Sequence, residues 1–203
     1  MATYVGQSNS ASNSIAIPSG SPVAGHTFFA VCANGSGSAI STPSGWSLVR
    51  TVTVGTIVMA IFRLNYNGSG APWTATGATS NVCTAWAGVD QTTNLSAETG
   101  GNGGYGSTVG ASAITNGAGE VLIAAFANNF NFAYSAFSNS ATQRGQVTSG
   151  ARATMVDTNV AGPGGSQTIT ATIASAGFGN AAWVGSIKNA AAGPNTSQFF
   201  PFF

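Results

Sequence analysis

The sequence predicts an all-β protein, namely a duplicated antiparallel β-sandwich of jelly-roll-like type with an extended C-terminal tail. Short runs of valine, isoleucine, threonine, alanine and aromatic residues recur along the chain, separated by clusters of glycine, serine, asparagine and proline. No long stretch repeats apolar residues at helical spacing. The two halves of the chain also resemble each other. With 203 residues, the chain is long enough to bury a substantial core.

The apolar runs mark six strands in each half of the chain. In the first half they are residues 14–17, 27–33, 46–53, 57–65, 73–76 and 82–89. In the second half they are residues 112–115, 120–127, 142–148, 153–160, 167–172 and 181–188. Evenly spaced short strands with glycine-rich turns are typical of a sandwich or jelly roll.

An internal duplication is visible in two places. "AGHTFFAVCAN" (24–34) matches "AGEVLIAAFAN" (118–128) 94 positions later, which sets Arg50 opposite Arg144. "PWTATGATSNVCTAWAGV" (72–89) resembles residues 167–187, which sets Trp86 opposite Trp183 at an offset of 97. We expect two repeats of roughly 80 residues, too few for a solenoid. They form two halves of one sandwich or two small sandwiches in tandem.

The duplication divides the chain into five segments. They are an N-terminal arm (1–11), a first β-repeat (12–95), a Gly-rich linker (96–107), a second β-repeat (108–189) and a C-terminal docking tail (190–203). The linker contains "GGNGG", which lacks the strand and helix context of a dinucleotide-binding loop.

The composition excludes several classes of function. Only 4% of the residues are charged, against about 25% in an average soluble domain. Such a surface argues against binding nucleic acid, which depends on neutralising phosphates, and against a basic membrane-binding patch. The net charge of +1 gives little repulsion between molecules and favours association. No apolar run is long enough to span a bilayer and the start lacks a signal-peptide pattern, so we expect a product kept in the cytosol or released by lysis.

Few residues are candidates for chemistry. His26 is the only histidine, and no nucleophile is indicated beside it, so we expect a structural role. The carboxylates are Asp90, Glu98, Glu120 and Asp157. Glycoside hydrolysis would need two of them to converge in a cleft.

Asp157 stands out because it lies within a predicted strand. Arg63 occupies the equivalent strand of the first half, and a structural ion pair between the two is favoured over a catalytic carboxylate. Metal-ligand spacing is absent from the sequence. Cys32 and Cys83 are expected to be buried reduced thiols, with a disulfide as the alternative. The sequence therefore predicts no catalytic residues, no metal and no cofactor.

Aromatic residues are the remaining candidates for recognition. In "NNFNFAYSAF" (128–137), Phe130, Phe132 and Tyr134 alternate with polar residues, as in a half-buried strand or an exposed ridge for a partner or glycan. Trp46, Trp73, Trp86 and Trp183 are candidates for a sugar-binding face, since exposed tryptophans stack on sugar rings. Trp86 and Trp183 occur in the duplicated segments, which favours core packing for these two.

The sequence closes on "SQFFPFF", a cluster of four phenylalanines stiffened by a proline. Its residues are Phe199, Phe200, Pro201, Phe202 and Phe203. Burial of each phenylalanine is worth about 1.5–3 kcal/mol, whereas exposure would create an aggregation-prone patch. We expect this cluster to fold back on the chain or, preferably, to dock on a neighbouring subunit. An outer-membrane barrel signal is disfavoured, because Pro201 interrupts the strand that such a signal requires.

The motifs "TPSGWSLV" (42–49) and "AWAGVD" (85–90) and the weaker second copy resemble β-sandwich proteins of tailed-phage structural modules, of minor tail, head-fibre or capsid decoration type. The second copy lacks the "PSGW" turn. This resemblance implies a non-enzymatic virion protein that is made in the host cytoplasm and contacts capsid or tail subunits. A homo-oligomer and contact with a host-surface glycan are further expectations. The alternative function is a carbohydrate-binding or adhesion module displayed on a particle or cell surface.

Overall fold

The computed structural model describes residues 1–130, 132–159, 161–175 and 179–191. The protein is all-β: strands make up 53% of it, no helix occurs in the described ranges, and every strand pair there is antiparallel. The predicted fold class, a sandwich-type all-β fold, is confirmed. Its jelly-roll-like character remains a prediction, and nearly all of the tail lies outside the described residues.

The strands follow one another with short connections. The first seven are β1 (Thr3–Ser10), β2 (Ser14–Ile15), β3 (Thr27–Asn34), β4 (Ser47–Val54), β5 (Ile57–Asn65), β6 (Trp73–Thr74) and β7 (Ser80–Ala87). The next five are β8 (Leu95–Gly104), β9 (Thr108–Gly110), β10 (Ile114–Asn116), β11 (Val121–Asn128) and β12 (Tyr134–Ser135). The last five are β13 (Thr142–Gln146), β14 (Arg152–Asp157), β15 (Gly165–Gln167), β16 (Thr170–Ile173) and β17 (Asn180–Ile187).

Two five-stranded sheets form the body of the protein. Sheet I has the strand order β1-β7-β3-β5-β4, and sheet II has the order β13-β14-β11-β17-β8. The sheets pack face to face around a central core to which both contribute, including Phe29 and Met59 from sheet I and Ile123 and Trp183 from sheet II. The two halves of the chain are therefore the two halves of one sandwich.

Each sheet is also covered on its outer face. The small sheet β2-β6 and neighbouring loops close a second core over sheet I, around Phe28 and Phe62. The small sheets β12-β16-β9 and β10-β15 close a third core over sheet II, around Phe126. Since both faces of the central strands are buried, β3 and β11 are apolar along nearly their whole length, without alternation of apolar and polar residues.

The two sheets have the same strand order when their strands are matched. The matched pairs are β1 with β8, β7 with β17, β3 with β11, β5 with β14 and β4 with β13. The same β-bulges recur as well: Val5 in β1 matches Ser96 in β8, and Val49 in β4 matches Arg144 in β13. Strand order and bulges together show that the two repeats share one folding pattern.

The strand registers correct two details of the expected alignment. Ala125 in β11 matches Val31 in β3. Trp183 pairs with Ala125, and Val82 pairs with Val31. Trp183 therefore corresponds to Val82 and not to Trp86. Arg50 likewise corresponds to Gly145, not to Arg144. A comparison of sequence offsets misses such shifts, because bulges and loops change the spacing within each repeat.

The structure also corrects two segment boundaries. The expected N-terminal arm contains β1, an edge strand of sheet I, and most of the expected linker, 96–107, is the edge strand β8 of sheet II. Glycines are required in β8 by close packing. A Cβ on Gly100 would lie 2.9 Å from side-chain atoms of Arg50 and Val52, and one on Gly103 would lie 2.9 Å from Ala182.

Candidate functional site

The carboxylates are occupied by structural contacts. Asp90 Oδ1 accepts hydrogen bonds from the backbone N–H groups of Thr92 and Thr93 at 2.8 and 3.0 Å, and Lys188 Nζ lies 3.2 Å from Oδ2. The N–H groups of Thr93 and Thr92, followed by Lys188, lower the pKa of Asp90. This carboxylate stabilises a turn and joins it to the residue that follows β17.

Glu98 lies where sheet I meets sheet II. Its carboxylate accepts hydrogen bonds from Nε and Nη2 of Arg50, both at 2.7 Å, and from the indole N–H of Trp183 at 2.8 Å. Burial of Glu98 opposes ionisation, but the hydrogen bonds from Arg50 and Trp183 outweigh it and lower the pKa. Glu98 therefore connects β8 to β4 of the opposite sheet and to the central core.

Asp157 pairs with Arg144 on the neighbouring strand, which corrects the expected pair with Arg63. Its side chain is 0% exposed and accepts two hydrogen bonds from Arg144. Arg144 also lies over the ring of Tyr4, with its guanidinium carbon 3.9 Å from the ring centre. Arg63 faces a different environment, with its Nη1 donating to Asn94 Oδ1 at 2.6 Å. The partner of Asp157 therefore comes from the bulge of the neighbouring strand β13, and not from the matched strand of the other repeat.

Glu120 completes the set of four carboxylates. It accepts hydrogen bonds from the hydroxyls of Ser96 and Ser186 and from the backbone N–H of Gly117. Each carboxylate thus has its own donors. In the described part of the chain, no group of three or more histidine, cysteine or acidic side chains is placed to hold a metal ion.

His26 and the two cysteines also occupy structural positions. His26 Nδ1 accepts the backbone N–H of Val23 at 3.3 Å and so closes a turn. Cys32 and Cys83 are free and fully buried on adjacent strands of sheet I. Burial raises the pKa of both thiols. The prediction of buried reduced thiols is confirmed.

The predicted ridge is not continuous. Tyr134 is only 2% exposed, and its hydroxyl donates to Asn180 Oδ1 at 2.9 Å within the outer core of sheet II. Phe130 is 36% exposed and Phe132 is half-buried, with ring centres 6.4 Å apart. Tyr134 turns inward because it belongs to β12, whose partner β16 covers sheet II. Only Phe130 presents a substantial exposed surface to a partner.

A cluster of four aromatic rings lies on the outer face of sheet I. Phe28 stacks on Tyr66 with ring centres 4.6 Å apart, and Trp46 meets Trp73 edge-on at 5.4 Å. Both tryptophans are 7% exposed. The indole N–H of Trp46 is buried and has no hydrogen-bond partner. Such an orphaned donor is uncommon in proteins, because burying an unpaired N–H costs about 1–3 kcal/mol.

The "PSGW" motif places Trp46 in this cluster. The N–H of Trp46 donates to the carbonyl of Pro43 at 3.1 Å, and Gly45 between them has a φ of 82°. This is a type II turn, which requires the left-handed conformation that glycine adopts without strain. The turn directs the indole onto sheet I and leaves Ser44 and Gly45 at the surface.

A groove runs along this end of sheet I, beside the aromatic cluster. Its larger part encloses ≈ 580 Å³ and is lined by Trp73, Asn65, Asn67 and Ser69 among others. Its smaller part, which shares Asn65, encloses ≈ 200 Å³. Amide and hydroxyl groups dominate the walls. Sequence analysis singled out the tryptophans but missed the polar loops, because their convergence depends on the tertiary fold.

Arg63 lies in the smaller part of this groove together with Gln91 and Asn94. Three ion pairs occur among the described residues, and Arg63 belongs to none of them. The groove therefore carries a guanidinium whose charge is not neutralised by a carboxylate of the described chain.

The docking residues Phe199, Phe200, Pro201, Phe202 and Phe203 lie outside the described residues. The structure does define the contacts of Asn189, close to the last described residue. Asn189 accepts the N–H of Ala2, donates to the carbonyl of Gly119 at 2.8 Å and forms a β-bridge with Val89. The ends of both repeats thus meet at Asn189, which fixes the position of the chain there.

No family model matches the chain, and no curated protein and no solved structure gives a significant match. Within the described ranges, no helix has the length and apolar character needed to cross a membrane.

Proposed function

We propose that the chain is a non-enzymatic structural protein of a virus particle of the tailed-phage type, either a capsid decoration or a tail-associated protein. It is made in the host cytoplasm and attaches to capsid or tail subunits through the aromatic segment Phe199–Phe203. The sandwich then acts as a rigid body held at the particle surface, where copies of the chain associate with one another.

The observation that carries the proposal is the fixed position of Asn189 at the end of the second repeat. The hydrogen bonds to Ala2 and Gly119 and the bridge to Val89 hold this residue where the repeats meet. The aromatic segment begins ten residues further along. An extended chain covers at most about 3.6 Å per residue, so Phe199 lies no further than roughly 36 Å from Asn189. A partner must therefore lie within that distance of one end of the sandwich.

Two further features support a structural role. The low charge of the surface favours association with neighbouring subunits over repulsion. The four carboxylates stabilise turns and contacts between strands, as described above. The resemblance of "TPSGWSLV" and "AWAGVD" to phage structural proteins supports the same type of protein.

Deletion of residues 197–203 tests attachment. We expect the free energy of unfolding to stay within about 0.5 kcal/mol of the parent, since the proposal assigns this segment to contact with a partner and not to the core of the sandwich. Incorporation into particles, measured by quantitative blotting of purified particles, should fall at least tenfold. Normal incorporation of the truncated chain would refute attachment through this segment.

A length-preserving variant separates loss of the aromatic rings from shortening of the chain. Replacement of Phe199, Phe200, Phe202 and Phe203 with serine should reproduce the deletion. The matched control replaces Val23 and Leu48, which are exposed apolar residues of the sandwich, with serine. That control should be incorporated normally, and equal loss in both variants would show that general surface hydrophobicity governs attachment.

A further inference from the structure

The groove on sheet I carries a feature that the fold itself does not require. Phe28 and Trp46 of the first repeat correspond to Leu122 and Ala141 of the second, given the matched registers of the two sheets. Leu122 is buried in the outer core of sheet II and Ala141 packs against that core, whose aromatic rings come from other positions, Phe126, Tyr134 and Phe137. The fold therefore does not require aromatic side chains at the positions of Phe28 and Trp46.

An indole with 7% of its surface exposed forms part of the groove floor. Trp73 lines the groove, and Gly70 lies against its indole N–H, where a Cβ would come within 3.2 Å of Nε1. Gly70 has a φ of 105°, a conformation in which other residues are strained. A side chain at this position would narrow the approach to Trp73.

The walls of the groove offer the hydrogen-bonding groups that recognise hydroxyls. Asn67 and Ser69 supply amide and hydroxyl groups that both donate and accept, whereas the amide of Asn65 is bonded to Gln91 and Asn94. Asn67 Oδ1 accepts from the backbone N–H and hydroxyl of Ser69 at 3.1 and 3.2 Å, which orients its amide. Directional polar groups beside an apolar ring suit a ligand with both hydroxyls and apolar C–H faces, which is the chemistry of a sugar.

Arg63 adds a preference for a negative charge. Its Nη1 is bound to Asn94, but a guanidinium has five N–H donors, and no carboxylate of the described residues forms an ion pair with it. A carboxylate on the ligand would accept two parallel hydrogen bonds from such a group. The groove volume of ≈ 580 Å³ is within the range of small-molecule sites.

We propose that this groove binds an acidic oligosaccharide, with a sugar C–H group against the exposed part of Trp73, hydroxyls on Asn67 and Ser69, and a carboxylate on Arg63. None of these residues belongs to the attachment segment. Binding of a saccharide and attachment to a particle are thus separate properties of the chain.

Titration of the full chain with a panel of saccharides tests the site. The acidic probes are trigalacturonate, trimannuronate and sialyllactose, and the neutral probes are cellotriose and lactose. We expect at least one acidic probe to bind at least tenfold more tightly than every neutral probe by calorimetry, with a change in tryptophan fluorescence. The absence of detectable binding of all three acidic probes at millimolar concentration would overturn the proposal.

Arg63→Gln tests the origin of the preference. The variant should weaken binding of the acidic probe at least tenfold and leave neutral probes unchanged. The matched control, Arg50→Gln, removes a guanidinium from the edge of the sandwich and should bind as the parent does. An unchanged preference in Arg63→Gln would refute the assignment of Arg63. Normal incorporation of Arg63→Gln into particles separates this result from a failure of the proposed attachment.

Discussion

The two edges of the sandwich are built from matched strands with matched β-bulges, but different side chains make the contacts between the sheets. At one edge β1 lies beside β13, and at the other β8 lies beside β4, which are the matched strands of the two repeats. In the first edge, Arg144 pairs with buried Asp157 and lies over Tyr4. In the second, the residues that match Arg144 and Tyr4 are Val49 and Leu95, which simply pack against the central core.

The ion pair of the second edge uses neighbouring positions instead. Arg50 binds Glu98, whereas the matching residues of the first edge are Gly145 and Gln7. Neither Gly145 nor Val82, which matches Trp183, has a side-chain N–H to donate. This explains why Gln7 Oε1 is buried without a hydrogen-bond partner. The comparison shows that the two repeats share the β-bulges of their backbones. Each edge forms its ion pair from residues at different positions.

The largest expected difference between the edges concerns Asp157 and its matched residue Arg63. Asp157→Asn leaves the buried guanidinium of Arg144 without a counter-charge, and loss of one partner of a buried pair costs about 3–5 kcal/mol. Arg63→Gln, at the same backbone position of the other repeat, should cost less than about 1 kcal/mol, because Arg63 forms no ion pair with a carboxylate of the described residues. Urea denaturation of both variants measures the difference, and equal losses would show that the matched position matters more than the ion pair.

The next effect concerns the residue after the bulge in each edge strand. Gly6 matches Ala97, but a Cβ on Gly6 would lie 1.8 Å from the carbonyl oxygen of Ser19, which is backbone and cannot rotate away. Gly6→Ala should therefore cost about 1–3 kcal/mol or more through overpacking. Ala97→Gly, the reciprocal control, should cost only about 0.5–1 kcal/mol. If Gly6→Ala were as stable as the parent, β1 would have to separate from the segment around Ser19.

Sequence reasoning found the central strands and the edge strands β4 and β13, but it missed the edge strands β1 and β8. The prediction of 57–65 coincides with β5 (Ile57–Asn65), because a strand buried on both faces shows as a continuous apolar run. The edge strands β1 and β8 contain "GQSNS" and "TGGNGG", which look like arm and linker. Their partners are distant in sequence, so only the tertiary fold reveals them.

The candidate site was foreseen only in part. Trp73 was recognised as a possible sugar contact, whereas Asn67 and Arg63 drew no attention as groove residues. Asn67 lies in a loop that is as polar as most surface loops, and Arg63 lies near the end of β5, so local sequence does not show that the two converge. For Tyr134 the sequence left a half-buried strand and an exposed ridge open, and the structure places its ring in a strand covered by β16.

The smallest expected effect is also the one that depends on pH. The pKa of Glu98 lies below its ordinary value in the folded protein, despite its burial, because Arg50 and Trp183 donate to it. The folded state therefore binds this proton less readily than the unfolded state. Its contribution to stability is present above the unfolded pKa of about 4.3 and is lost as the pH falls through the folded pKa.

Glu98→Gln removes the charge and keeps an acceptor for Trp183, so it should cost about 0.2–1 kcal/mol at neutral pH, as expected for a partly exposed pair. The parent should lose this contribution to its free energy of unfolding below about pH 4.3, where the free energies of unfolding of the parent and of Glu98→Gln should become equal. A double-mutant cycle with Arg50→Gln isolates the pair, since Arg50→Gln in the Glu98→Gln background should cost little more. A stability difference that persisted unchanged at pH 2 would assign the effect to packing in β8, and the two edges would then differ in shape rather than in charge.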